Sequence, residues 1–278
     1  MKKVGLALGG GGARGLAHIP MLETLDAFGI KPAAISGTSI GSIVGALYAS
    51  GKKAEQIRER LKQFLLLKDD SLVDRFHKTP HLLTWLSVMR IETGRGGLMN
   101  TDNFLNFLLE EIGAETFEEL EIPLQVVATD FWTGEEVVFD SGPLRPAIQA
   151  SMTVPGVFTP VEYEGRILVD GGIVNNVPFD LLTDSCDFTI AVDVAPTRDP
   201  GEAAVPALMD SVLGMFDMLI EKVMDQKRAA STADIYILPE LVGVRVLDVD
   251  KLEAVYAMAQ PAANQLREQL IQHGFHEQ

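Results

Sequence analysis

The sequence predicts an α/β fold built on a mainly parallel sheet, and three observations carry that prediction. Within the first 50 residues, an apolar run, a helical pattern, a second apolar run and a second helical pattern follow one another. This is the βαβα order that right-handed crossovers join into parallel strands. Further strand candidates then alternate with amphipathic stretches along 278 residues, about the length of one large α/β domain. The chain is 47% hydrophobic, enough to bury a substantial core.

Taken in order, Val4 to Leu8 is a short apolar run ending in glycines and reads as a buried strand. Leu16, Ile19, Leu22, Leu25 and Phe28 recur at helical spacing, and Gly29 follows as a stop. Pro20 conflicts with that helix, because a proline in its interior removes a hydrogen bond and kinks it. Ala33 to Ser36 is a second strand, and Ile40 to Ala49 a helix of small residues capped by Gly51. Residues 54–112 read as mostly helical with an irregular middle. Leu124–Thr129 and Glu136–Asp140 read as strands around a turn at Thr133-Gly134, Pro146–Ala150 as a short helix, and Ile167–Val169 as a strand ending at Asp170. Thr189–Val194 and Ile235–Leu238 are further strands, and amphipathic helices are predicted over roughly 205–230 and 250–272. The stretch 195–206 is a loop, and no repeat or linker divides the chain, so residues 1–278 are expected to form one domain.

Charge and cysteine usage exclude several functions. A net charge of -16 with no basic stripe argues against nucleic acid, and against electrostatic docking to an anionic bilayer. Any lipid contact must rest on apolar side chains. The single cysteine, Cys186, cannot form an internal disulfide, and no Cys/His framework for a metal is present. The N-terminal run is broken by four glycines and Arg14 before it could serve as a signal peptide. With no run of 18 uncharged apolar residues, the expectation is a soluble cytoplasmic protein, at most peripheral at the inner membrane surface.

Two glycine turns carry chemistry. Gly9-Gly10-Gly11-Gly12-Ala13-Arg14-Gly15 lies between a strand and a helix, where exposed amides stabilise negative charge. A dinucleotide site would need an acidic residue at the end of the second strand, which instead reads Ser36-Gly37-Thr38-Ser39, and no Gly-Lys-Ser/Thr marks a P-loop. A plain tight turn is the simpler alternative. Gly37-Thr38-Ser39-Ile40-Gly41 fits Gly-x-Ser-x-Gly between strand and helix, a setting that exposes the serine hydroxyl on a sharp turn; taken singly it is also compatible with a helix cap. Adjacent parallel strands would bring the two turns to one sheet end, a nucleophile beside amide donors, which is the geometry of acyl transfer.

The base for Ser39 is then sought among five histidines and the carboxylates. A Ser–Asp–His order leaves only His273 and His276, which beside Gly274 read more simply as a helix C-terminus. His77 and His81 flank Pro80 without a third ligand, so a zinc site is not expected. His18 reads as packed or hydrogen-bonded. Asp170, followed by Gly171 and Gly172, is the candidate carboxylate, although Asp-Gly is also a common turn pair.

Together these segments resemble the patatin-like phospholipase family in its bacterial branch. The resemblance lies in Leu8 to Gly15, His18-Ile19, Gly29-Ile30, Gly37 to Gly41, Ala128-Thr129-Asp130, Thr133-Gly134-Glu135, Ala147 to Pro160 (AIQASMTVPGVFTP) and Asp170 to Pro178 (DGGIVNNVP), and covers about residues 4–195. Pro20 stands where a glycine is frequent, and Gly9 where some members carry aspartate. The resemblance implies a three-layer α/β/α fold with a mainly parallel central sheet. It implies a phospholipase A or lysophospholipase that uses a Ser39–Asp170 dyad, with no metal or organic cofactor. It also implies an oxyanion hole at Gly10, Gly11 and Gly12, with Gly37, Gly41, Gly171 and Gly172 in support. Arg14 either orients that loop or adds positive potential to it, or is a surface residue of the helix that follows. A small-ester or thioester hydrolase on the same residues is an alternative. A low-turnover lipid-binding regulator is another, but binding alone does not need that set.

Two segments are candidates for meeting lipid: 80–91, with Leu82, Leu83, Trp85, Leu86 and Met89, and the methionine-rich 205–224. Core packing is the simpler reading of both stripes, and a dimer interface a third.

Overall fold

The computed structural model describes residues 2–66, 102–197, 208–246 and 248–278. Strands are β1 (Val4–Leu8), β2 (Ala34–Thr38), β3 (Leu124–Asp130), β4 (Glu136–Phe139), β5 (Val161–Tyr163), β6 (Arg166–Asp170), β7 (Phe188–Val192) and β8 (Ile235–Ile237). Helices are α1 (His18–Ala27), α2 (Ile40–Ala49), α3 (Ala54–Leu66), α4 (Asp102–Ile112), α5 (Leu144–Ser151), α6 (Gly172–Asn175), α7 (Leu208–Ala230) and α8 (Leu252–Gln272).

All eight strands form one sheet in the order β5-β6-β3-β2-β1-β7-β8, with β4 on β3. The run β3-β2-β1-β7-β8 is wholly parallel. Beyond it, β4, β5 and β6 join antiparallel. Strand alternation divides the core: Leu6 and Leu8 of β1 face the large cluster built with α1, α2, α3, α4 and α8. Ala7 faces the opposite cluster, with Val177, Phe179, Leu182 and Met224 of α7. Small residues on that second face let the 176–182 segment lie against the sheet; a Cβ at Gly5 would already sit 3.1 Å from the Leu182 side chain. Helices thus cover both faces, a three-layer α/β/α arrangement.

Most predicted elements stand within a residue or two of their expected limits. Pro20 falls in the first turn of α1, because the chain from Gly12 to Ala17 is a 3-10 helix and the α-helix starts only at His18. First-turn amides have no intrahelical acceptor, so the expected conflict disappears. Strand β5 was not predicted; its Val161–Tyr163 run is short and only partly buried, which leaves little periodic signal. The 80–91 segment, His77 and His81 lie outside the described residues. Among the described residues, no helix is long and apolar enough to cross a membrane.

The expectation that 205–224 packs mainly on the core is corrected. Residues 205–207 are not described. On α7, Met224 is buried, Leu213, Phe216 and Ile220 face a cleft, and Met215, Met218 and Leu219 are exposed.

Candidate active site

The two glycine turns meet because β1 and β2 are adjacent and parallel, Leu8 opposite Gly37. Ser39 follows β2 and caps α2, with φ 54° and ψ -124°. A non-glycine residue held there costs of order 1–3 kcal/mol. Its surroundings hold it: the Ser39 carbonyl accepts from the Ser42 amide at 2.9 Å and the Ser42 hydroxyl at 2.6 Å. The Ser39 amide donates to Ser151 Oγ at 2.8 Å. The flanking glycines are steric necessities. A Cβ on Gly41 would stand 2.0 Å from the Leu8 carbonyl oxygen, and one on Gly37 2.6 Å from that of Gly41. The elbow also sets the hydroxyl at the N-terminus of a ten-residue helix, where the backbone dipole favours a developing alkoxide.

Asp170 arrives from the antiparallel part of the sheet. Ala128 of β3 pairs with both Val137 of β4 and Asp170 of β6, so β4 and β6 occupy opposite edges of β3. Val127 pairs with Val138 on the β4 side and Thr38 on the other, so β2 and β6 share an edge. Thr38 faces Val127, and Asp170 faces the next residue, Ala128. Where β2 leaves the sheet at the elbow, β6 takes its place, which sets Ser39 beside the aspartate.

The Asp170 carboxyl is pushed up from 3.8 to about 6 by burial, against the pull of the Ser39 side chain and of the Gly172 amide. That amide donates to Asp170 Oδ1 at 2.8 Å. The backbone of Asp170 is pinned as well, its amide to the Thr153 carbonyl at 2.8 Å and its carbonyl to Thr129 Oγ1 at 2.9 Å. Gly171 has no room for a side chain, since a Cβ would meet the Val127 carbonyl oxygen at 2.4 Å.

The glycine loop differs from expectation at one position. The Gly10 amide donates to the Asn176 carbonyl at 3.2 Å, and so is not free for a ligand. The Gly9 and Ala13 amides are also engaged, with Val192 and Val246. Gly11 and Gly12 amides have no acceptor among the described residues, and both line the cleft with Ser39 and Asp170. Gly12 sits at φ +59°, where a Cβ would approach the Val246 carbonyl oxygen to 2.3 Å. Arg14 is not the surface helix residue considered above: it is buried, and its guanidinium makes a two-pronged pair with Asp217 of α7 at 2.8 and 3.1 Å. It ties the loop to the cleft wall.

His18 is fully buried and its Nε2 bonds the Gly9 carbonyl at 2.8 Å. A carbonyl only accepts, so Nε2 carries the proton; burial depresses the imidazole pKa to about 4. His273 ends α8 and its ring meets Phe188, the first residue of β7, at 4.9 Å. That is the opposite end of the sheet from Ser39, so no Ser39–Asp170–His273 triad exists. Ser151, Asn176 and Asp217 are contacts that sequence reasoning missed. The first two lie in the quoted AIQAS and DGGIVNNVP segments, but nothing in spacing tells which hydroxyl or amide turns inward.

The cleft encloses about 660 Å³ including its open mouth. Val154, Pro155, Ile173, Leu213, Phe216 and Ile220 give it apolar walls over a polar floor of Ser39, Asp170, Gly11 and Gly12.

Comparison with known proteins agrees with this architecture. The patatin-like phospholipase profile matches residues 6–183. An uncharacterised NTE family protein of Mycobacterium tuberculosis is 34% identical over 206 residues, covering 71% of this chain and 52% of that one. The lysophospholipase NTE1 of Kluyveromyces lactis is 30% identical over 279 residues, covering 91% of this chain and 18% of that one. The chain spans about half the length of the first of these relatives, and less of the second. The crystal structure of VipD from Legionella pneumophila superposes with a TM-score of 0.52 at 16% identity, covering 96% of this chain and 66% of that one. The chain belongs to the patatin-like phospholipase family.

Proposed function

We propose that this protein is a lipid acyl-ester hydrolase of phospholipase A or lysophospholipase type, working through a Ser39–Asp170 dyad. The observation that carries the reading is the handover along β3, with Thr38 opposite Val127 and Asp170 opposite Ala128. Asp170, with its pKa raised to about 6, is ionised at neutral pH yet basic enough to take the Ser39 proton. As Oγ attacks the ester carbonyl, the oxyanion forms against the Gly11 and Gly12 amides; losing one such donor typically costs about 3 kcal/mol of barrier. The protonated Asp170 returns its proton to the leaving alcohol. A water then gives a proton to Asp170 as it attacks the acyl-Ser39 carbonyl, and Asp170 returns that proton to Ser39 Oγ as the Oγ–acyl bond breaks and the fatty acid leaves. The apolar walls of the cleft suit an acyl chain, and one relative carries the name lysophospholipase.

The test is a panel of phospholipids, lysophospholipids and nitrophenyl esters of graded chain length, run on wild type and Ser39→Ala. We expect Ser39→Ala to abolish hydrolysis, rates to rise from short to long acyl chains, and a fluorophosphonate to label Ser39 alone. Retained hydrolysis in Ser39→Ala ends the mechanism. A preference for short esters ends the lipid assignment and favours a small-ester hydrolase.

A further inference from the structure

The segment after Asp170 contributes more than its acid. Thr38 Oγ1 donates to the Asn175 carbonyl at 2.7 Å, and Ser36 Oγ to that of Pro178 at 2.8 Å, so the segment lies across the end of β2. Asn176, between them, is 3% exposed and reaches the glycine loop of β1 by two bonds of opposite sense. Its carbonyl accepts the Gly10 amide at 3.2 Å, and its side-chain Nδ2 donates to the Gly10 carbonyl at 3.2 Å.

These bonds act on two successive peptide planes. The Gly9–Gly10 plane is held at both ends, its carbonyl by His18 Nε2 and its amide by Asn176. In the Gly10–Gly11 plane, Asn176 Nδ2 holds the carbonyl. A trans peptide directs its N–H opposite to its C=O, and no cis bond is present among the described residues, so the Gly11 N–H is turned away from Asn176. Ser39 is close at hand: a Cβ on Gly10 would stand 2.7 Å from Asn176 Oδ1 and 3.1 Å from Ser39 Cβ, and Gly11 lines the same cleft as Ser39. Gly10 is a spacer between the amide side chain and the serine.

We infer that Asn176 is a positioning residue for this reaction: its side-chain amide grips the Gly10 carbonyl and thereby aims the Gly11 N–H at the oxyanion beside Ser39. This rests on the Ser39 reading proposed above. The same segment then carries the base at its start and the orienting amide six residues later, so one docking step would set both halves of the site.

The experiment compares full-length wild type, Asn176→Ala, Asn176→Asp and Ser39→Ala. The measurements are nitrophenyl-ester kinetics, inhibition by an alkyl trifluoromethyl ketone that adds to a serine as a tetrahedral adduct, and thermal midpoints. Both Asn176 variants keep the backbone bond to Gly10 and lose the side-chain donor. The expected result is a kcat lower by about 10²-fold, a KM within threefold, and a ketone affinity reduced by the same factor as kcat/KM. A folded variant with kcat within threefold of wild type overturns the inference. So does a fall in kcat that leaves ketone affinity unchanged, because that marks a structural effect only. In wild type, which depends on no variant folding, the Gly11 amide proton is expected to move downfield when the ketone binds, and its failure to move also overturns the inference. Hydrolysis surviving in Ser39→Ala instead removes the mechanism itself.

Discussion

Ser39 and Asp170 stand on two differently built parts of one sheet. Ser39 belongs to the parallel part, and most of what shapes it is near in sequence. The Gly37 contact with Gly41, the Ser42 bonds and the cap of α2 all lie within residues 37–42, and only the Leu8 carbonyl against Gly41 and the Ser151 hydroxyl on the Ser39 amide come from farther off. Asp170 belongs to the antiparallel part, and its environment is assembled from afar: Thr153, Thr129, Val127 and Ser39 itself. A strained elbow can be specified by a five-residue motif, but a carboxyl with a raised pKa requires a fold around it.

The largest effect expected from breaking this division is on catalysis. Asp170→Asn should lower kcat on a nitrophenyl ester by about 10³-fold while leaving the elbow intact, in the range that general bases contribute. Fluorophosphonate labelling of Ser39 should slow in parallel. Wild-type kcat/KM should fall below pH 6 along a limb of slope one, because the protonated acid cannot accept the serine proton.

Next in size is the steric demand of the parallel part. Gly41→Ala drives a Cβ to 2.0 Å from a backbone oxygen, which no rotamer can relieve. A loss of about 3 kcal/mol or more is expected in urea titrations.

The third effect reverses with pH. The Asp170 carboxyl has a higher pKa folded than unfolded, so the native state holds its proton more tightly. The cost is absent below pH 3.8, grows as pH rises towards 6 and is complete above. At about 1.4 kcal/mol per pH unit it amounts to at most about 3 kcal/mol. Asp170→Asn should therefore stabilise the protein by up to that amount at pH 7 and by almost nothing near pH 4, in denaturant midpoints read at both values. His18 has the opposite sign. Its folded pKa is depressed to about 4, so its contribution is full above pH 6.5 and is lost as pH falls towards 4. Asp170 thus costs stability at neutral pH, and His18, beneath the glycine loop, does not.

The smallest effect separates the two faces of α7. Met215→Ser, on the exposed face, should change stability by less than about 0.5 kcal/mol. Met224→Ser, in the core, should cost about 2 kcal/mol or more. Weaker sedimentation of Met215→Ser with zwitterionic vesicles, at unchanged stability, would assign the exposed face to lipid.

The sequence alone determined the parallel strands and the two glycine turns, and it singled out Ser39 and Asp170 as candidates, because each is written in local periodicity or in turns whose glycines have no substitute. It did not reveal β5, the start of α1 behind a 3-10 segment, or which amides of Gly10, Gly11 and Gly12 stay free. Those outcomes depend on partners far along the chain: Gly10 loses its amide to a residue 166 positions away, and Arg14 its charge to one 203 positions away. The tertiary structure also decided that β6 would succeed β2 along β3. Register between strands follows from packing and from the hydrogen bonds of whole edges, and no short motif encodes it.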